Sequence, residues 1–181
     1  MKKLGQVWLE TVIYILIGLV LIGLVLSFVT PQINERKDKI MVEQAINSLN
    51  LIDGKIKEVI DAGKYNKRVF EFNMKKGELY IDAINNKIVY VLNDLTKPYS
   101  EPGIDVPLGR VVLRTEKNKK TSIVNLTIDY GAGIDVSFND GQEIKKFNPS
   151  VIPYKFSIEN KGIKIINAQG DKAYNIDITE I

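Results

Sequence analysis

The sequence predicts an α+β protein. A long N-terminal helix, transmembrane and then amphipathic, carries an antiparallel, sandwich-like β-rich head. Three observations predict it. The run Thr11 to Val29 holds no charge. Apolar residues then recur at three- and four-residue steps as far as Gly63. From Arg68 onward the period shortens to two, with turn residues at near-regular spacing. On these boundaries the chain divides into a short basic start (1–5), an apolar helix (6–30), an amphipathic stalk helix (31–63) and a β-rich head (64–181).

The uncharged run is apolar on every side, the mark of a helix buried all round or of a membrane span. At about 1.5 Å per residue it covers roughly 28 Å, enough for the hydrocarbon core of a bilayer. Lys2 and Lys3 precede it, and Arg36, Lys37 and Lys39 follow within a few turns. Counts so similar on the two sides set no orientation by themselves. A cleaved secretory signal would have a shorter apolar stretch and a small-residue site after it. This run ends in Phe28-Val29-Thr30-Pro31, so the segment is expected to be retained.

Pro31 removes one helical hydrogen bond and predicts a kink or a short break. Beyond it Val42, Ile46, Leu49, Ile52, Ile56, Val59 and Ile60 form an apolar stripe. Glu43, Asp53, Lys55, Lys57, Glu58 and Asp61 are expected on the other faces. Gly54 inside this helix costs about 1 kcal/mol relative to Ala. The stripe could pack on the head's own sheet, face neighbouring subunits, or do both.

In the head, Phe70, Phe72 and Met74 alternate with polar residues before the turn Lys76-Gly77. Leu79–Ile84 and Lys87–Leu92 follow, joined at Asn85-Asn86. The stretch from Asn93 to Leu108, with Pro98, Pro102 and Pro107, is expected to be a loop. Val111–Thr115 and Thr121–Tyr130 predict a hairpin. Ile134, Val136 and Phe138 precede the turn Asn139-Asp140-Gly141. Tyr154, Phe156 and Ile158 lead to an expected turn at Asn160-Lys161-Gly162, then a strand Ile163–Asn167. Tyr174, Ile176 and Ile178 close a set of eight or nine strands.

Composition narrows the chemistry. Among 181 residues, 25 Lys and Arg face 22 Asp and Glu, a net charge of +3. Without Lys2 and Lys3 this becomes 25 − 2 − 22 = +1. No basic stripe with interleaved aromatics is present, so no nucleic-acid partner is expected. The absence of Cys excludes disulfides and thiolate metal sites. The absence of His removes the commonest general base and metal ligand. The chain is expected not to be an enzyme, and to use neither cofactor nor metal. A carboxylate-based hydrolase is the enzyme reading that stays conceivable, but no acid pair stands out.

Glu10 is the one acid at the lip of the apolar run. It could be a plain juxtamembrane carboxylate beside Lys2 and Lys3. Alternatively, it needs a cationic partner, because an acid deep in a bilayer costs roughly 2.5–3.5 kcal/mol. A cut after Gly5 would supply one, as the new α-amine on Gln6 is mostly cationic at neutral pH. In a low-dielectric bundle that amine and a neighbour's Glu10 attract at short range.

These residues carry a family resemblance. The basic Lys2-Lys3, then Gly5, then Glu10 at the fifth place after it and a long apolar helix resemble the class III signal peptide of type IV pilin-like proteins. Gln6 directly after the glycine resembles the archaeal version, although Trp8 stands where that version commonly has Ser. Bacterial pilins usually begin the mature chain with Phe, and many close a C-terminal disulfide loop. This chain has neither. The resemblance covers about the first 30 residues closely and the helix-plus-head layout loosely. It implies that a membrane prepilin peptidase cleaves between Gly5 and Gln6, with Lys2 and Lys3 in the leader. It also implies that Glu10 aids subunit docking, and that sister helices pack in a filament driven by an assembly platform and its ATPase.

Other motifs carry less. Asn125-Leu126-Thr127 is a glycosylation sequon with Asn125 expected on the outer face of a strand. Asp129, Asp135, Asp140 and Glu143 lack the spacing of a calcium loop and read as turn residues. Gly131-Ala132-Gly133 has no helix after it and lacks phosphate-loop geometry. Gly18 and Gly23 are five apart, not at the close-packing four-residue spacing.

The expected function is structural: a subunit of a type IV pilus-like surface filament that displays its head for adhesion, surface contact or secretion. The expected location is a single-pass membrane state with the N-terminus cytoplasmic and the head extracytoplasmic, then an extracellular filament. The competing expectation is a single-pass protein that never polymerises and whose β head binds a ligand or partner. Intact-mass measurement of the protein purified from membranes should give a chain beginning at Gln6. A chain retaining Met1 would end the pilin-like reading.

Overall fold

The computed structural model describes residues 2–166 and 170–181, with side chains from Val7 onward. It is an α+β chain: one helix, α1 (Lys2–Ala62), followed by ten strands. Two compact units divide within α1, the second running from Lys39 to Ile181.

The helix runs through Pro31 without the break expected there. Proline's fixed φ is itself helical, and only one backbone N–H is lost. Just upstream, the Ser27 and Thr30 hydroxyls donate to the Leu24 and Leu26 carbonyls (both 2.7 Å). These hydroxyls satisfy their donors on the helix's own backbone.

In the second unit one stripe of α1 is buried. Val42, Ala45, Leu49, Ile52, Ile56 and Val59 belong to the same core cluster as the inner faces of the sheets, with Ile46 and Ile60 half-buried beside them. The stripe therefore packs on the head's own sheets. Asp53, expected on a polar face, is buried in that stripe. Its position four residues after Leu49 and three before Ile56 puts it on the same face. Lys57 (2.5 Å) and Arg110 (3.8 Å) neutralise it. The buried Tyr130 hydroxyl lies near Asp53 but makes no hydrogen bond of ordinary geometry among the described residues. Burial first, and the nearby Asp53 charge second, hold its phenol far above the ordinary range.

The strands form two sheets. One has four: β1 (Lys67–Phe72), β9 (Tyr154–Ile165), β10 (Lys172–Glu180) and β7 (Ile134–Phe138), in that order. The other has six in the order β4 (Asp105–Leu108), β5 (Val111–Lys117), β6 (Ser122–Asp129), β3 (Lys87–Leu95), β2 (Glu78–Asp82) and β8 (Ile144–Phe147). All neighbours are antiparallel except β10 and β7, which run parallel. The expected hairpin is β5–β6, with Lys117 opposite Ser122. The turn after Lys76 needs glycine: Gly77 has φ +90, and a Cβ there would lie 2.7 Å from the Val91 carbonyl oxygen.

Three expectations are corrected. The stretch 93–108 is not all loop, because β3 continues to Leu95 and Asp105–Leu108 forms edge strand β4. Pro107 masks it in sequence, yet an edge strand tolerates a residue with no N–H. β8 was not anticipated, since Lys145 and Lys146 break its apolar pattern on the opposite edge. Asn160-Lys161-Gly162 is not a turn. β9 passes straight through it with a bulge: Asn160 pairs with Ile176 and Gly162 with Asn175, leaving Lys161 extra. The last residue of the strand expected over Ile163–Asn167, Asn167, lies outside the described residues.

That bulge ends the helix. Buried Asn160 donates through Nδ2 to the Val59 carbonyl (3.1 Å) and accepts the Gly162 N–H at Oδ1 (2.8 Å). Its main chain accepts from Tyr65 N (2.6 Å) and donates to the Asn66 carbonyl (3.0 Å). Asn66 in turn caps the Ala62 and Gly63 carbonyls through Nδ2 (2.7 and 3.2 Å), with Gly63 at φ +91. Asn160→Ala should leave two buried backbone groups unpaired and lower stability by about 2–6 kcal/mol, at about 1–3 per orphaned group. Denaturant unfolding of the full chain in detergent, followed by circular dichroism, checks this.

Candidate functional site

The most unusual surface of the chain is the first part of α1. From Val7 to Val29 almost every side chain is exposed, and none of the most apolar 18-residue window is buried inside the chain. Each large apolar side chain left in water forgoes about 1.5–3 kcal/mol. About five of them already match the whole net stability of a typical domain, about 5–15 kcal/mol. This helix therefore requires an apolar environment outside its own chain. It is long and apolar enough to cross a membrane.

The sequence-predicted residues fall as follows. Lys2, Lys3, Gly5 and Gln6 lie in the first turns of α1. Glu10 is exposed on the same helix, four residues and so about one turn after Gln6. Trp8 is exposed beside it. Beyond their chain neighbours and the helix's own backbone, Gly18 and Gly23 have no atom within 4 Å of where a Cβ would stand. Asn125 is elsewhere, half-buried in the middle of β6 between β5 and β3. Val124, Leu126, Ile128 and Tyr130 face the core, so Asn125 and Thr127 face outward. The Asn125 amide already donates to Glu116 (3.3 Å).

Three of the four acids considered for calcium, Asp129, Asp135 and Asp140, are dispersed into lysine pairs. Asp129 meets Lys87 (3.0 Å) and the Gly131 N–H (2.8 Å). Asp135 meets Lys164 (2.8 Å), and Asp140 meets Lys161. Sequence reasoning missed the acid at the centre of this outer network. Buried Asp177 accepts from Ser137 Oγ (2.7 Å), the Asp140 N–H (2.8 Å) and Thr179 Oγ1 (3.2 Å), with Lys161 3.5 Å away. Alternation with Ile176 and Ile178 sets it on the opposite face, and its burial there comes from the pairing of β10 with β7, where it stands across from Ser137.

A groove of about 520 Å³ opens along the head part of α1. Met41, Gln44, Asn47 and Ser48 form one wall, with Asn73, Lys75 and Lys76 opposite, beside buried Tyr90. The Tyr90 hydroxyl donates to the Lys76 carbonyl (2.6 Å), and burial pushes its pKa up to about 12. The lining mixes apolar Met41 and Ala45 with carboxamide, hydroxyl and lysine groups, and among the described residues it holds no carboxylate.

No known protein family, characterised protein or solved structure matches the chain.

The head's surface charges predict a pH profile. The Lys146 hydrogen bond, then that of Tyr80, holds the Glu78 carboxyl below its ordinary 4.5, and Lys87 with the Gly131 N–H holds Asp129 below 3.8. These contributions are complete above the ordinary carboxylate range and are lost as pH falls through the lowered values. Lys146 and Lys161, held above the ordinary 10.5 mainly by Glu78 and Asp140, contribute below that value and lose it as pH rises through the raised values. Head stability should therefore be flat from about pH 5 to 9 and decline below about pH 4 and above about 10.5. Denaturation midpoints across pH check this, and Glu78→Gln should soften the acid limb.

Proposed function

We propose that the chain is a structural subunit of a type IV pilus-like surface filament. It rests in the membrane through α1 before assembly and polymerises through the same helix afterwards. The observation that carries this reading is the all-round apolar exposure from Val7 to Val29, with the single acid Glu10 at its mouth. A helix with no polar face suits lipid and a bundle of sister helices equally, so one segment serves both solvents. A membrane prepilin peptidase cuts after Gly5, and the amine released on Gln6 pairs with Glu10 of a neighbour. Partners are sister subunits, lipid, the peptidase and, indirectly, the assembly platform and its ATPase. The start of the chain is cytoplasmic, and the head is extracytoplasmic and then displayed on the filament. Gln6 and Glu10 support the archaeal version of the leader. The proposed role is structural and non-catalytic, in keeping with a sequence that has neither His nor Cys.

A second reading, a single-pass membrane protein that does not polymerise and whose head binds a ligand, is favoured by the groove beside Gln44, Ser48 and Lys75.

Glu10→Ala should leave membrane insertion and head folding unchanged and abolish incorporation into filaments. Membrane fractionation and electron microscopy of surface filaments, with the subunit identified by mass spectrometry, read the two effects separately. Normal filaments from this variant would remove the role assigned to Glu10, and absence of filaments from the unaltered chain would favour the second reading.

A further inference from the structure

The groove beside the head part of α1 gathers polar side chains that the fold does not use. On the helix wall, Met41, Gln44 and Ser48 follow one another at steps of three and four, on one line along the axis, with Asn47 beside them. The line borders the buried stripe of Val42, Ala45 and Leu49, so this wall is held by the core. The facing wall is the chain that leaves β1. Phe72 and Met74 are buried there, and Asn73 and Lys75 alternate with them on the exposed side. Two bonds pin that wall. The Met74 carbonyl accepts from the Ser150 N–H (2.9 Å), and the Lys76 carbonyl accepts from the buried Tyr90 hydroxyl (2.6 Å). Both walls are thus set before any ligand arrives, which lowers the ordering cost of binding.

Within this frame the side chains of Gln44, Asn47, Ser48, Asn73 and Lys75 make no hydrogen bond or ion pair with any other described residue. Carboxamides elsewhere in the head are spent on the chain itself. Asn66 bonds the Ala62 carbonyl, Asn86 the Val136 N–H, Gln142 the Val136 carbonyl and Asn160 the Val59 carbonyl. The charge in the groove is one-sided as well. Lys75 and Lys76 line it, and no carboxylate does among the described residues. Glu43, adjacent to Gln44 in sequence, stands near Tyr99 instead, where burial first and this charge second push the phenol above its ordinary range.

The chemistry of the lining selects a ligand class. Each carboxamide both donates and accepts, as does the Ser48 hydroxyl, and a sugar hydroxyl asks for both. The Lys75 ammonium asks for an anion, and a charge-assisted bond is the stronger kind. Met41 and Ala45 leave an apolar strip suited to the C–H face of a sugar ring. A bare anion would use the lysine and leave three carboxamides idle, while a neutral sugar would leave the lysine idle. The volume of about 520 Å³ falls within the roughly 300–1,000 Å³ of small-molecule sites.

We propose that this groove binds a short acidic saccharide, with a ring carboxylate on Lys75 and hydroxyls shared among Gln44, Asn47, Ser48 and Asn73. The proposal rests on the extracytoplasmic head of the function proposed above and gives that head a ligand class.

The test uses the full-length chain in detergent micelles, where binding is read without filaments. In a ligand-observed NMR titration, trigalacturonic acid should saturate a single site, and neutral maltotriose and inorganic phosphate should bind at least about tenfold more weakly. Lys75→Gln should weaken trigalacturonic acid by about tenfold or more, as expected for a lost bond to a charge. Gln44→Ala and Asn73→Ala should each weaken it by a smaller factor. Thermal unfolding should not move in any of them, since these side chains hold nothing in the fold. Lys119→Gln, at the exposed β5–β6 turn, should leave binding unchanged. No saturable binding, or binding indifferent to Lys75→Gln, would overturn the proposal. Phosphate binding as tight as the saccharide would overturn it in favour of a simple anion site. Self-association of the chain that Lys75→Gln abolishes, with no saccharide bound, would overturn it in favour of a second copy in the groove. Each of these outcomes leaves the filament reading standing, whereas binding retained by a chain that forms no filaments would support the groove and count against that reading.

Discussion

The constraint on which this protein depends is that the first part of α1 has no face suited to water. A helix satisfies its own backbone hydrogen bonds, so its side chains alone decide its surroundings, and from Val12 to Val29 they are uncharged and almost all apolar on every side. The same helix must then become the spine of a water-facing head, and its composition changes accordingly. Beyond Lys39 one stripe stays apolar and is buried, while the remaining faces take up lysine and acid. Two environments are thus written into one continuous element.

Within the head, an apolar stripe fixes which face of the helix is buried but not where along its axis it sits. Val42, Ala45, Leu49, Ile52, Ile56 and Val59 could slip by a turn and still bury comparable area. The polar contacts remove that freedom. Asn160 reaches one particular carbonyl, that of Val59, while the bulge that frees Lys161 turns Gly162 back onto the Asn160 side chain. At mid-helix, buried Asp53 meets Lys57 and Arg110. Buried polar groups are costly when mispaired, and that penalty makes a single register preferable.

The outer surface opposes one kind of association. The exposed edges of the six-stranded sheet are β4, with Pro107, and β8, with Lys145 and Lys146. Proline and lysine on edge strands oppose pairing with another sheet. The exposed apolar tip at Val151–Ile152 lies outside both of these edge strands.

Much of this was legible in the amino-acid sequence, and the rest was not for identifiable reasons. Local periodicity carries the apolar helix, its amphipathic continuation, the β5–β6 hairpin and the outward setting of Asn125, because each depends on neighbours a few residues away. It fails where a residue breaks the local pattern for a distant purpose. Pro107 and the Lys145-Lys146 pair hid edge strands, and Asn160-Lys161-Gly162 looked like a turn although the chain continues. Asp53 carried a core signal in its spacing from Leu49 and Ile56, but its charge outweighed that spacing until Arg110 was placed beside it. By itself, the sequence determined the α+β order, the helix that needs an apolar environment, and the acid at its mouth. Only the tertiary structure decided which helix face is buried, how the helix is stopped, and which apolar side chains stay uncovered. Those outcomes depend on pairing between residues as far apart as Val59 and Asn160, and no local pattern contains that pairing.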